Sequence, residues 1–185
     1  MSLPSRDAFL PIVSAILLAE REGLSLSGLI AAKLPSRSTN AGVIDNSSPG
    51  CESYTAAMGR ELIARLSPAD QTLSEVTFAT SETTVARGQE TGSATAAEEK
   101  ELFEIKETIS KYFSPEQGFG EILTVNFIDG IRIGFADGTI AHMRPSGNAP
   151  EFRMYAEADT LERAVEMVER KDRIVPAIIA DMPQK

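Results

Sequence analysis

Two arginines, a serine, a glycine and an asparagine surround a proline-bounded turn in 144-RPSGNAPEFRMYAEA-158. A turn that only reversed the chain would need neither arginine. A guanidinium group offers forked, charge-assisted hydrogen bonds matched to phosphate oxygens. The Ser146 hydroxyl and the Asn148 amide add neutral donors. Gly147 frees the backbone for unusual dihedrals, which would let successive N–H groups form an anion nest. Pro145 and Pro150 stiffen the loop. These residue types point to phosphate capture. The competing reading is an ordinary polar turn whose arginines bond nearby acids such as Glu151 or Glu157.

The flanking pattern must bring the two arginines together. Alternation places Arg153, Tyr155 and Glu157 on one strand face and Phe152, Met154 and Ala156 on the other. Arg144 ends the preceding strand, TIAHMR, so both guanidinium groups reach the loop mouth from adjacent strands. Upstream, GEILTVNF and IRIGF alternate as strands, with Asp129-Gly130 and Asp137-Gly138 as hairpin turns. Thr95 with Glu98 makes a capping box for a helix whose Leu102, Ile105, Ile109 and Tyr112 form one stripe. Asp159 with Glu162 opens a last helix carrying Leu161, Ala164, Val165 and Val168. Residues 95–171 thus read helix, four antiparallel strands, helix, an α+β layer with helices on one sheet face.

Residues 7–34 read as a helix pair, with Gly23 as stop and Ser25 as second cap, ending before Pro35. Segment 35–50 reads as a linker with one short strand. Ser48 and Pro49 suit the start of a helix running through Leu66. Residues 72–80 read as a strand and 79–96, rich in Thr, Ser, Gly and Glu, as an exposed loop.

Composition removes other chemistries. The chain has 185 residues, 42% of them apolar, and 27 acidic against 18 basic residues give a net charge of -9. That acidity opposes nucleic-acid binding, so any anion site must be local. One cysteine, Cys51, excludes an internal disulfide and suits a reducing cytosol. With a single histidine, His142, assigned a structural role in a strand, a His/Cys zinc site is excluded. Asp45, Asn46 and Ser47 read as a turn rather than a metal cluster. The apolar run Phe9–Ala19 is too short to cross a bilayer and lacks a leader's cleavage site. The opening MSL reads as an expression-derived start to a chain that begins inside a domain. No nucleophile–base pair stands out.

With these residues in place, RPSGNAPEFRMYAEA resembles the phosphate-binding loop of the α-D-phosphohexomutases, written RPSGTEPxxRVYxE, in their C-terminal domain. DGIRIGFADGTIAHM is similar to the strands that precede it there, and SRDAFLPIV to the end of the family's third domain. RDAFLP, LS-x-L-x-x-x-LP and TNAGVID look most like bacterial phosphomannomutase members. The resemblance implies a helical remnant of an α/β third domain over 1–35. It implies a C-terminal domain over 36–185, core 95–171, with a four-stranded antiparallel sheet of TATA-box-binding-protein-like kind. It further implies that Arg144, Ser146, Gly147, Asn148 and Arg153 hold the phosphate distal to the reacting group as mannose 6-phosphate and mannose 1-phosphate interconvert. Asn148 replaces the pattern's Thr and keeps a donor, while Ala149 replaces its Glu and cannot make that residue's contacts.

The family's phosphoserine loop, its Mg2+-binding aspartates and its sugar-selecting loop do not occur in these residues. The implied chain is therefore an inactive, cytoplasmic C-terminal fragment whose parent uses Mg2+. Its expected partners are hexose phosphates, not nucleic acid or membrane, with a non-native contact or dimer covering the helix pair. Phosphoglucomutase, phosphoglucosamine mutase and a free-standing anion-binding module are the alternatives, together with a structural domain whose arginines make only surface ion pairs.

Overall fold

A computed structural model describes residues 9–33, 37–79 and 81–182. The chain divides into two compact units between Arg37 and Ser38. The first unit contains α1 (Phe9–Arg21) and α2 (Leu26–Lys33). Gly23 ends α1 at φ +66, where its N–H donates to the Glu20 carbonyl. Ser25 Oγ then caps α2 by accepting from Gly28 N at 3.0 Å. The ends of the expected pair, residues 7–8 and Leu34, lie outside the described residues. Ala19 and Leu29 are buried, Val13 is half-buried, and Phe9 and Leu17 remain 69% and 59% exposed.

The second unit is a mixed helix-and-strand fold on one antiparallel sheet. Its strands are β1 (Ser38–Ile44), β2 (Glu75–Phe78), β3 (Thr83–Arg87), β4 (Glu90–Ser93), β5 (Ile122–Asn126), β6 (Ile131–Phe135), β7 (Ile140–Pro145) and β8 (Phe152–Ala158). They lie in the order β1-β8-β7-β6-β5-β2-β3-β4. The expected four-stranded meander is therefore the centre of an eight-stranded sheet. Segment 38–44 pairs along the whole of β8, from Ser38 opposite Ala158 to Ile44 opposite Phe152.

The other addition corrects the expected loop over 79–96. Residues 83–93 form a hairpin around Gly88, at φ +63, with Arg87 opposite Glu90. Thr83 and Val85 face the core while all of β4 is exposed, so little apolar alternation advertises the strands. Arg87 bridges Asp70 and Glu98, tying the hairpin to its surroundings.

Helices α3 (Ala56–Arg65), α4 (Ala96–Ser110), α5 (Leu161–Glu169) and α6 (Lys171–Ala180) share one apolar core with the sheet. Leu62, Leu102, Ile109 and Met167 meet Ile131, Ile133, Met143 and Met154 there, all essentially inaccessible. The opposite sheet face stays open. Thr95 caps α4 in the reciprocal box read from sequence. Elsewhere the caps move: α3 starts at Thr55 rather than Ser48, and α5 at Thr160 rather than Asp159. Ser48 Oγ instead accepts from Asp45 N, inside a turn in which Asp45 also accepts from Ser47. A turn hydroxyl that is already engaged is not free to cap a helix. The chain after 170 adds α6, helical despite Pro176, because Ile174, Val175 and Ile178 are buried against the same core.

Candidate phosphate-binding site

Strands β7 and β8 pair in register, with Arg144 directly opposite Arg153 and His142 opposite Tyr155. Opposed residues project to the same face, so both arginines stand on the open side of the sheet. Their alternating neighbours Met143, Phe152 and Met154 are fully buried on the other side. This core anchoring fixes which way each guanidinium points.

The Arg144 guanidinium donates to Asp129 Oδ2 at 3.0 Å and to the Tyr155 hydroxyl at 3.4 Å. It lies 5.6 Å from the Tyr155 ring centre. Arg153 donates to Glu151 Oε2 at 3.2 Å, while its Nε is shielded from solvent and unpaired. Hydrogen bonding from Arg144 first, with the nearby positive charges of Arg144 and Arg153, holds the Tyr155 hydroxyl below the usual tyrosine range against the opposing effect of burial. The same contact raises Arg144, which stays charged at every accessible pH.

The loop between the arginines closes through Ser146 N donating to the Glu151 carbonyl and Glu151 N donating to the Ala149 carbonyl, both at 2.8 Å. Asn148 N points at Ser146 Oγ at 3.4 Å. Gly147 departs from expectation. Its φ is not positive, and an added Cβ would meet nothing within 4 Å. A nest needs a left-handed residue beside a right-handed one, and this loop has no left-handed residue while three of its amides are spent internally. The charged clamp and the Ser146 and Asn148 side chains are what the loop offers.

Both acids anticipated around the loop are present: Glu151 takes Arg153, and Glu157 takes Arg132 rather than either site arginine. Sequence reasoning missed Asp129 as an arginine partner. It sits in the β5–β6 turn, where Gly130 at φ +89 packs so closely on β7 that a Cβ would strike the Met143 carbonyl. The β6–β7 register, Ile131 opposite Met143, was the signal that brings Asp129 beside Arg144. His142 Nε2 lies 2.6 Å from the Asp129 carbonyl, in keeping with a structural histidine. Among the described residues no group of three or more His, Cys, Asp or Glu is placed to hold a metal ion. Nor, among them, is any helix long and apolar enough to cross a membrane.

Residues 85–174, from β3 to the start of α6, match the phosphoglucomutase/phosphomannomutase C-terminal domain. A phosphomannomutase of Sinorhizobium fredii is 29% identical over 164 residues, covering 88% of this chain and 24% of that protein. A phosphomannomutase of Salmonella muenchen is 54% identical over 48 residues, covering 26% of this chain and 10% of that protein. The chain thus spans a quarter or less of the length of these relatives. These matches support a resemblance of residues 85–174 to the C-terminal domain of the phosphoglucomutase/phosphomannomutase family.

Proposed function

We propose that this chain is the C-terminal part of a phosphomannomutase and that Arg144, Arg153 and the Ser146 and Asn148 side chains hold the distal phosphate of its hexose phosphate, with Gly147 leaving room for it beside the loop. The observation that carries the reading is the direct pairing of Arg144 with Arg153 on the open sheet face. Two guanidinium groups neutralise a phosphate dianion and fix its orientation. The ion pairs to Asp129 and Glu151 are partly open to solvent, worth about 0–1 kcal/mol each, and yield to a dianion. Mannose 6-phosphate and mannose 1-phosphate each present a phosphate away from the reacting carbon, so one loop serves both directions. Glucose and glucosamine phosphates fit the loop equally, since it meets only phosphate.

In the intact enzyme Mg2+ and a phosphoserine on other segments supply the transfer. This chain's residues bind and orient, and alone they turn nothing over. A cytoplasmic setting belongs to the same reading, with Cys51 a free buried thiol. So does a second copy of the chain covering the apolar side of α1 and α2, where Ile12, Leu17 and Ile30 are about half exposed or more. Sedimentation of the wild type as a dimer and of Leu17→Glu as a monomer is the expected result; a monomeric wild type rejects the pairing.

Chemical-shift titration with inorganic phosphate tests the site. Binding with a dissociation constant on the order of 1 mM, about -4 kcal/mol, is expected at residues 144–153. Arg144→Ala should abolish it and Arg153→Ala should weaken it comparably. Undiminished binding by Arg144→Ala, or any mutase turnover by the purified chain, would overturn the proposal.

A further inference from the structure

Beside the arginine pair the open sheet face holds a cavity of about 380 Å3, within the range of small-molecule clefts. Thr39, Asp129, His142, Arg144, Tyr155 and Glu157 line it. Cross-strand pairing organises the walls, with Thr39 opposite Glu157 and His142 opposite Tyr155. The His142 and Tyr155 rings, 5.7 Å apart and inclined by 30°, make a shallow aromatic floor.

The charges around this cavity cancel. Glu157 accepts from Arg132 at 3.2 Å and Asp129 from Arg144 at 3.0 Å. An ion therefore gains little by entering. A hydroxylated neutral ring gains more, because each carboxylate has lone pairs left to accept hydroxyl protons, Thr39 can donate, and flat rings suit the C–H face of a sugar. Arg144 belongs to this cavity and to the clamp at once. Along β7 the cavity reaches Ile140, four residues from Arg144, or about 13 Å at strand rise. That length accommodates a hexose with its phosphate at the arginine end.

We propose that this cavity receives the hydroxyl-bearing ring of the phosphosugar whose phosphate sits at Arg144, stacked on Tyr155 and His142 with hydroxyls donating to Glu157 and Asp129. The proposal rests on the phosphate reading above and adds a ring contact to it.

Ethyl phosphate carries the phosphate monoester without the ring, so comparing it with mannose 6-phosphate by chemical-shift titration isolates the cavity. Mannose 6-phosphate should bind about 5- to 10-fold more tightly, the equivalent of one or two net hydrogen bonds. Thr39→Trp, at an exposed position of a terminal strand that tolerates aromatic residues, should block the cavity and erase the difference. Glu157→Ala should shrink it. Ethyl phosphate affinity should stay unchanged in both variants. Equal affinity of the two ligands in the wild type, or a difference that survives Thr39→Trp, would overturn the ring contact and leave the phosphate site standing. Failure of both ligands to bind would overturn both readings.

Discussion

At the scale of residues, the Tyr155 hydroxyl reports on the clamp. It accepts from Arg144, and those cations pull its ionisation below the ordinary value near 10. The chain contains three tyrosines and no tryptophan, and burial pushes Tyr54 and Tyr112 up to about 12. Alkaline absorbance titration should therefore resolve one tyrosine ionising below pH 10 and two near pH 12. Arg144→Ala removes the main donor to the phenolate, so the early ionisation should move up toward 10; no movement would separate Tyr155 from the clamp. That Arg144 and Arg153 share one sheet face was legible in the sequence, because alternation sets the face and the short loop makes their strands neighbours. Gly147 was over-read, since a flexible residue need not adopt the rare conformation it permits. Asp129 was under-read, because an Asp-Gly turn already explains an aspartate without its side chain.

Glycines separate element from site at the next scale. Gly130 holds φ +89 with β7 backbone where a Cβ would lie, which places the β5–β6 turn behind Arg144. Gly130→Ala should cost about 1–3 kcal/mol and lower the melting temperature by several degrees. Gly147→Ala meets no atom and no positive φ, so its stability should change little or rise by about 0.4–1 kcal/mol. If phosphate nonetheless approaches the loop backbone, the same substitution weakens binding; unchanged affinity would confine recognition to side chains. Element legibility followed apolar contrast. Strands β6 to β8 alternate cleanly between buried and half-exposed positions and were readable. The β3–β4 hairpin was not, because its core contacts come from Thr83 and Val85 and its partner strand is wholly exposed. Helix α6 escaped for the opposite reason: Pro176 reads as a breaker, yet buried Ile174, Val175 and Ile178 outweigh one lost backbone bond.

Across the whole second unit, two buried tyrosines couple stability to alkaline pH. Tyr112, at the end of α4, donates to Asp181 Oδ2 at 2.6 Å just past α6, and Tyr54 packs edge-on against Phe152 of β8. Both are under 10% exposed. Burial is the leading cause in each case and raises the folded value to about 12, with the Asp181 contact adding to it for Tyr112. In the unfolded chain both ionise near 10. Between those values the native state holds more protons than the unfolded state, so stability must fall as pH rises. The contribution is fully present below pH 10 and is lost on passing toward pH 12. A two-unit difference corresponds to about 2.7 kcal/mol per tyrosine, hence about 5 kcal/mol for the pair. Lysines titrate in the same window, so the difference between wild type and variant is the decisive quantity. Urea midpoints measured from pH 9 to 12 should decline steeply in the wild type. The decline should be roughly half as steep in Tyr112→Phe, which keeps the ring in the core but cannot ionise. Parallel declines in the two proteins would show that Tyr112 is not held neutral by the fold, and that the junction of α4 with the end of α6 opens more readily than its packing implies.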